Sequence, residues 1–187
     1  MAFTAVPSFL GAVKERDTMT SKPDLLKEIT IRNDIRCGDA GYLTYLQAKV
    51  FGEEHGYSHI FEAYVAKSFY DFLMNYKPDK DKIWIAEHNG KIVGNIAVVD
   101  RGDKAQLRWF ITDPGYRSIG LGKALLLKAL EYCRQSCYPM VYLETCDDLK
   151  KAISLYTAAG FSLVKETPQR CVAHGPERAG VHLESVI

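Results

Sequence analysis

The chain has 187 residues, 47% apolar and 25% charged, with a formal net charge of +1. That length suits one domain with a sizeable core and is short for two. The near-neutral charge supplies no global field toward nucleic acid or an anionic membrane, and no apolar run approaches the roughly 18 to 20 residues of a membrane span.

Residues 1–27 read as a flexible N-terminal extension and residues 28–187 as the folded domain. Met1–Val13 is mildly apolar but has no basic segment ahead of it, and Lys14, Glu15 and Arg16 follow it. A secretory signal is therefore not expected. Glu28–Arg32 alternates as a short strand would. Asp39 is placed to cap a helix running to about Phe51. Phe51–Tyr57 carries two glycines and reads as a loop. Ser58 caps a second helix, whose apolar residues Ile60, Phe61, Tyr64, Val65, Phe69, Phe72 and Leu73 fall near helical spacing, and Pro78 ends it.

A hairpin follows. Ile83–Ala86 is strand-like, Asn89-Gly90 is a strong two-residue turn signal, and Ile92–Val99 returns. After a turn at Asp100–Asp103, Ala105–Thr112 alternates as another strand and stops at Asp113-Pro114-Gly115. A helix is expected from about Gly120 to Ser136, and a strand over Met140–Thr145. Asp147 or Asp148 can cap a further helix through Ile153 and Tyr156, with Gly160 as its stop. Phe161–Glu166 and Gly180–Ile187 complete the strands. The unit from Ala105–Thr112 through the helix to Met140–Thr145 is a strand–helix–strand crossover, which predicts a parallel pair in an otherwise largely antiparallel sheet.

The five cysteines (Cys37, Cys133, Cys137, Cys146 and Cys171) are odd in number, and their spacing suggests no disulfide framework. They read as small hydrophobes of a reducing, cytoplasmic protein. Cys171-x-x-His174 has metal-like spacing but no second ligand pair nearby. His55 and His59 form no His-Glu-x-x-His pattern. No metal is expected.

The segment most suggestive of chemistry is Arg117-Ser118-Ile119-Gly120-Leu121-Gly122, set between a strand and a helix. Glycines let backbone amides approach phosphate oxygens without side-chain clash. A helix start adds free N–H donors and partial positive charge, and Arg117 and Lys123 add cations. The loop lacks the Gly-Lys-Ser/Thr of a Walker loop and the spacing of a Rossmann turn.

Together, Arg117-x-x-Gly120-x-Gly122 and the downstream Ala152-x3-Tyr156-x3-Gly160-Phe161 resemble the GNAT superfamily of N-acetyltransferases. The element order agrees along 28–187. A finer resemblance, carried by Glu54–Tyr57, Phe61–Ala63, Leu107–Phe110 and Leu149, is to GNAT domains often fused to MarR-type regulators; no winged helix fits in this chain. The resemblance implies an α/β protein of the GNAT (acyl-CoA N-acyltransferase) fold, a mixed, mostly antiparallel sheet flanked by about four helices. It implies an N-acetyltransferase using acetyl-CoA as co-substrate and no metal. The acceptor would be a primary amine of a small molecule or protein; neither nucleic acid nor membrane is expected as a partner, and the chain is expected to be a monomer or homodimer.

Roles follow from the resemblance. Backbone amides of Ser118, Ile119, Gly120, Leu121 and Gly122, with Arg117 and Lys123, would hold the pyrophosphate. Phe110, Ile111 and Thr112 would pair with the pantetheine arm, and a main-chain amide near Ile111 or Thr112 would stabilise the oxyanion. Tyr156 would protonate the leaving thiolate; by spacing alone it reads as a core tyrosine, and the phosphate-type loop upstream turns the reading to the acid. Glu144 is the candidate base, acting through water, although an exposed strand glutamate fits there too. Glu54, His55 and Tyr57 are assigned to the acceptor side, with Glu54 and His55 also rival bases. Many family members carry Asn, which helps hold pantetheine, where this chain has Leu149; the finer resemblance has Leu at that position too. A non-catalytic acyl-CoA-binding regulatory module is the alternative.

Overall fold

The computed structural model describes residues 22–167 and 179–187. In chain order these form α1 (Lys22–Glu28), β1 (Thr30–Arg32), α2 (Asp39–His55), α3 (His59–Met74), β2 (Lys82–His88), β3 (Lys91–Asp100), β4 (Ala105–Thr112), a 3₁₀ turn (Pro114–Tyr116), α4 (Leu121–Gln135), β5 (Met140–Cys146), α5 (Lys150–Ala158), β6 (Ser162–Thr167) and β7 (Gly180–Val186). The seven strands make one sheet in the order β1-β2-β3-β4-β5-β7-β6. Among the described residues only the β4–β5 pair is parallel. It is formed across α4, as the crossover predicts.

Local chemistry accounts for most element ends. The Asn89-Gly90 turn has both residues at positive φ, 49° and 75°, the geometry of a tight two-residue hairpin. The Ser58 hydroxyl accepts from the Ile60 amide and caps α3. Gly56 ends α2 in the left-handed region at φ 68°.

The structure departs from the sequence reading at several ends. Lys22–Lys27 belong to α1 and not to an extension, and Leu25 and Leu26 pack against the core. Residues 1–21 lie outside the described residues. The helix expected to stop near Phe51 continues to His55, because Gly56 is the first residue to leave helical geometry. Asp39 does not cap α2. Its carboxylate lies inside the first turn, where it accepts from the Arg36 amide and pairs with Arg32 at 2.6 Å. Leu149, not an aspartate, precedes α5, with no side-chain cap.

The core lies on both faces of the sheet. On one, α4 buries Leu121, Leu125, Leu126, Ala129, Leu130 and Cys133 against Trp84, Val93, Ile96, Val98 and Leu107. Those α4 positions recur at helical spacing, so a single stripe of the helix faces the sheet. On the other face, Leu43 of α2 and Phe61, Val65 and Phe69 of α3 cover Ile83, Ile85, Ile92 and Ala97. Each fully buried aliphatic side chain contributes about 1.5–3 kcal/mol of transfer free energy.

Two irregularities of β4 shape the centre. Asn95 pairs with Ile111 and Ala97 with Arg108, so Trp109 and Phe110 together oppose Ile96 in a β-bulge. The parallel pairing with β5 covers only Ala105 and Gln106. Beyond Gln106 the β5-facing edge of β4 has no ladder partner, and the sheet splits.

Candidate active site

A cleft of about 1420 Å³ occupies the split. It is lined by one face of α2 and of α3 with Tyr57, by β4 from Gln106 to Thr112, by the turn into α4, and by the region of β5, α5, β6 and β7 around Glu144, Tyr156 and His182. Its position follows from the fold, since strands that cease to pair leave main-chain groups and space between them.

The bulge is held by aromatic packing. Trp109 sits at φ 50°, a left-handed conformation that costs a non-glycine residue roughly 1–2 kcal/mol. Its ring stacks on Phe69 at 4.4 Å, and its indole N–H donates to the Ser68 hydroxyl at 2.8 Å. The Arg108 guanidinium lies 4.9 Å from the same ring. α3 therefore braces the point at which β4 leaves its register.

The turn into α4 is fixed from outside. Asp113 accepts from the Gly115 amide and pairs with Lys91 at 2.7 Å. Burial pushes the Asp113 carboxyl up, but Lys91 and the Gly115 amide outweigh it and hold it below its ordinary value. Tyr116 hydrogen-bonds His88 at 2.9 Å. From this anchored base the chain passes through Ser118 at φ 63° and Gly120 at φ 93° into α4. Gly120 supplies no side-chain cap, and Ala124, bonded to the Gly120 carbonyl, is the first amide after Arg117 with an intramolecular acceptor among the described residues. Six consecutive donors, Ser118 to Lys123, are left at the positive end of a helix, and that is an anion site in chemical terms.

Arg117, Ser118, Gly120, Gly122 and Lys123 all line the cleft. Ile119 and Leu121 turn their side chains into the core, so only their backbone is available to a ligand. Phe110, Ile111 and Thr112 line the same cleft.

Tyr156 is buried and lines the cleft from α5, with its ring 5.9 Å from Phe110. Burial raises its phenol well above the ordinary value and is the sole cause. Glu144 lines the cleft from β5 as an exposed side chain, and Gln106 Nε2 donates to it at 3.4 Å. The acceptor-side candidates cluster at the end of α2. His55 Nδ1 lies 3.1 Å from Asp148, and the Tyr57 hydroxyl donates to Cys146 Sγ at 3.0 Å. Glu54 is bound by Arg117 at 2.8 Å, a pairing across 63 residues.

Four features of this cleft escape sequence reasoning. Asp148 reads there only as a helix cap. Gln47, buried on the cleft-lining face of α2, does not stand out. Trp109 reads as an ordinary alternating strand residue, and nothing in its sequence context marks a bulge. Cys146 is disulfide-bonded, which corrects the reading of the cysteines as simple hydrophobes. The Cys171–His174 segment lies outside the described residues. Gln47 alone carries a usable signal, since it precedes Val50, Phe51 and Glu54 by three, four and seven residues.

Taken together, the split mixed sheet, its bulged central strand and the unsatisfied helix start over the cleft define an α/β protein with a chemically prepared anion site beside a pocket of mixed polar and apolar lining. The acetyltransferase (GNAT) family model matches residues 43–161, so the chain belongs to that family. It is 32% identical over 103 residues to an uncharacterized N-acetyltransferase of Methanocaldococcus jannaschii, a match covering 51% of this chain and 45% of that protein. The match thus spans less than half the length of that relative. Among solved structures, an acetyltransferase from Streptococcus agalactiae superposes with a TM-score of 0.67 at 22% identity, over 86% of this chain and 99% of that one. A Vibrio cholerae spermidine N-acetyltransferase in complex with CoA and spermine superposes at 0.63, with 15% identity over 86% and 96%. At these identities the two structures share the fold with this chain.

Proposed function

We propose that the chain is an N-acetyltransferase moving the acetyl group of acetyl-CoA to a primary amine of a small molecule or protein. The observation that carries this reading is that the amides from Ser118 to Lys123 have no internal acceptor among the described residues, and that Ser118, Gly120, Gly122 and Lys123 line the same cleft as Tyr156. Membership of the family supports it.

In this reading those amides, with Arg117 and Lys123, hold the diphosphate, and the unpaired edge of β4 at Phe110–Thr112 holds the pantetheine arm. The bound coenzyme supplies an activated thioester. A main-chain amide near Ile111 or Thr112 offers a fixed dipole to the developing oxyanion and needs no reorganisation. Tyr156 donates its proton to the departing thiolate; its raised phenol stays protonated at neutral pH. Glu144 takes the proton of the amine through water. Glu54, His55 and Tyr57 bound the acceptor.

Release of free CoA with a panel of amines, for wild type and Tyr156→Phe, tests the reading. Turnover by wild type and its loss in the variant, with acetyl-CoA binding intact in both, is the expected result. No turnover by either, with binding intact, would identify a non-catalytic acyl-CoA-binding module instead.

A further inference from the structure

Arg117 and Glu54 belong to different ends of the proposed site, yet they hold each other. Arg117 Nη1 is 2.8 Å from both carboxylate oxygens of Glu54. The pair ties the last turn of α2 to the turn that opens α4. Its side chains are 35% and 33% exposed, so solvent screens the attraction and the pair is easily exchanged. A diphosphate seated on the Ser118–Lys123 amides would offer Arg117 a stronger partner, because its oxygens match the guanidinium fork and its two phosphates together carry more charge than one carboxylate.

That exchange would leave Glu54 without its cation. Its other close titratable neighbour, His55, lies 3.9 Å away and is itself 3.1 Å from Asp148. The adjoining wall is aromatic: Phe51 stands 5.3 Å from Tyr57 and 4.9 Å from Phe61, centroid to centroid. A partly desolvated carboxylate beside aromatic faces favours an ammonium group.

We propose that Glu54 is the recognition group for a second positive charge on the acceptor, and that Arg117 masks it until the coenzyme binds. The acceptor class is then an amine bearing another cationic centre, and binding of the two substrates is coupled. The proposal rests on the reading of Ser118–Lys123 as the diphosphate site.

Calorimetric titration of 1,5-diaminopentane, with and without saturating CoA, tests it in wild type, Glu54→Gln, Arg117→Gln and the double variant. In wild type the diamine binds about two- to fivefold tighter with CoA present, the range a part-exposed ion pair can transmit. Linkage requires the same factor in the other direction. In Arg117→Gln the coupling is lost and the diamine binds without CoA. Glu54→Gln tightens CoA by a similar factor only where Arg117 is present. Unchanged diamine affinity in wild type, no diamine binding in any state, or a Glu54→Gln gain that persists without Arg117 overturns the proposal while CoA binds normally. Failure of wild type to bind CoA overturns the diphosphate reading and this proposal with it.

Discussion

Gly122 lies beneath Phe110 in an open step: a β-carbon placed at residue 122 would come 3.5 Å from the tip of the Phe110 ring, 3.7 Å from Leu155 and 3.9 Å from Thr112. These are ordinary van der Waals distances, so the protein's own packing does not demand glycine there. A ligand running from the α4 amides to the β4 edge would need that space. Gly122→Ala is expected to keep the wild-type melting temperature and to weaken coenzyme binding at least about tenfold, read by calorimetry, since a methyl would sit between the amides and the diphosphate. Gly120 differs, because its φ of 93° strains any L side chain.

Tyr156→Phe removes one hydroxyl from a buried ring and leaves its packing on Phe110 and Phe161. Loss of a general acid costs about 10²–10⁴-fold. The expectation is a fall of that size in kcat, with the coenzyme dissociation constant unchanged. A parallel loss of coenzyme affinity would return Tyr156 to a structural role.

The same residue predicts a dependence of stability on pH. Burial raises the Tyr156 phenol in the folded state above its ordinary value of about 10. The unfolded chain therefore releases this proton first as pH rises. The contribution is complete below about pH 10 and is lost as pH climbs toward the folded value. Tyr138, raised by burial and by its hydrogen bond to Asp100, acts in the same direction. Denaturant melts of wild type should lose stability above about pH 10, and Tyr156→Phe should lose it less steeply.

Arg32 and Asp39 are each 8% exposed and pair at 2.6 Å, with Glu87 on the other edge of the guanidinium at 2.8 Å. Removing one partner of a buried pair strands the other charge. Asp39→Ala also removes the acceptor of the Arg36 amide. Chemical denaturation should show a loss of about 3–5 kcal/mol, and a loss under about 1 kcal/mol would mean that Glu87 alone satisfies Arg32.

Glu144→Gln keeps the shape of the side chain and its contact with Gln106 while removing the base. A fall of about 10²–10⁴-fold in kcat/KM with unchanged coenzyme binding is expected. An unaltered rate would shift the role toward His55.

Much of this molecule is legible in its amino-acid sequence, and the legible parts are local. Asn89-Gly90 announces its hairpin because two adjacent residues must take positive φ. Gly120 and Gly122 ahead of an amphipathic run announce a helix start with free amides, because those amides precede any i−4 partner. The α4 crossover announces the parallel β4–β5 pair. Each depends on neighbours within a few residues or on the handedness of the chain.

What only tertiary structure decided depends on contacts between distant segments. Trp109 holds a left-handed backbone because Phe69 and Ser68, some forty residues earlier, trap its ring, and no pattern inside β4 encodes that. α1 is hidden in the sequence because its leucines gain order only by packing on the sheet. Arg117 and Glu54 fall to separate substrates on sequence grounds, and their ion pair exists because the fold brings the end of α2 against the turn before α4. Sequence periodicity reports which face of an element is apolar, whereas the partner that face or charge meets is set by how the chain closes on itself.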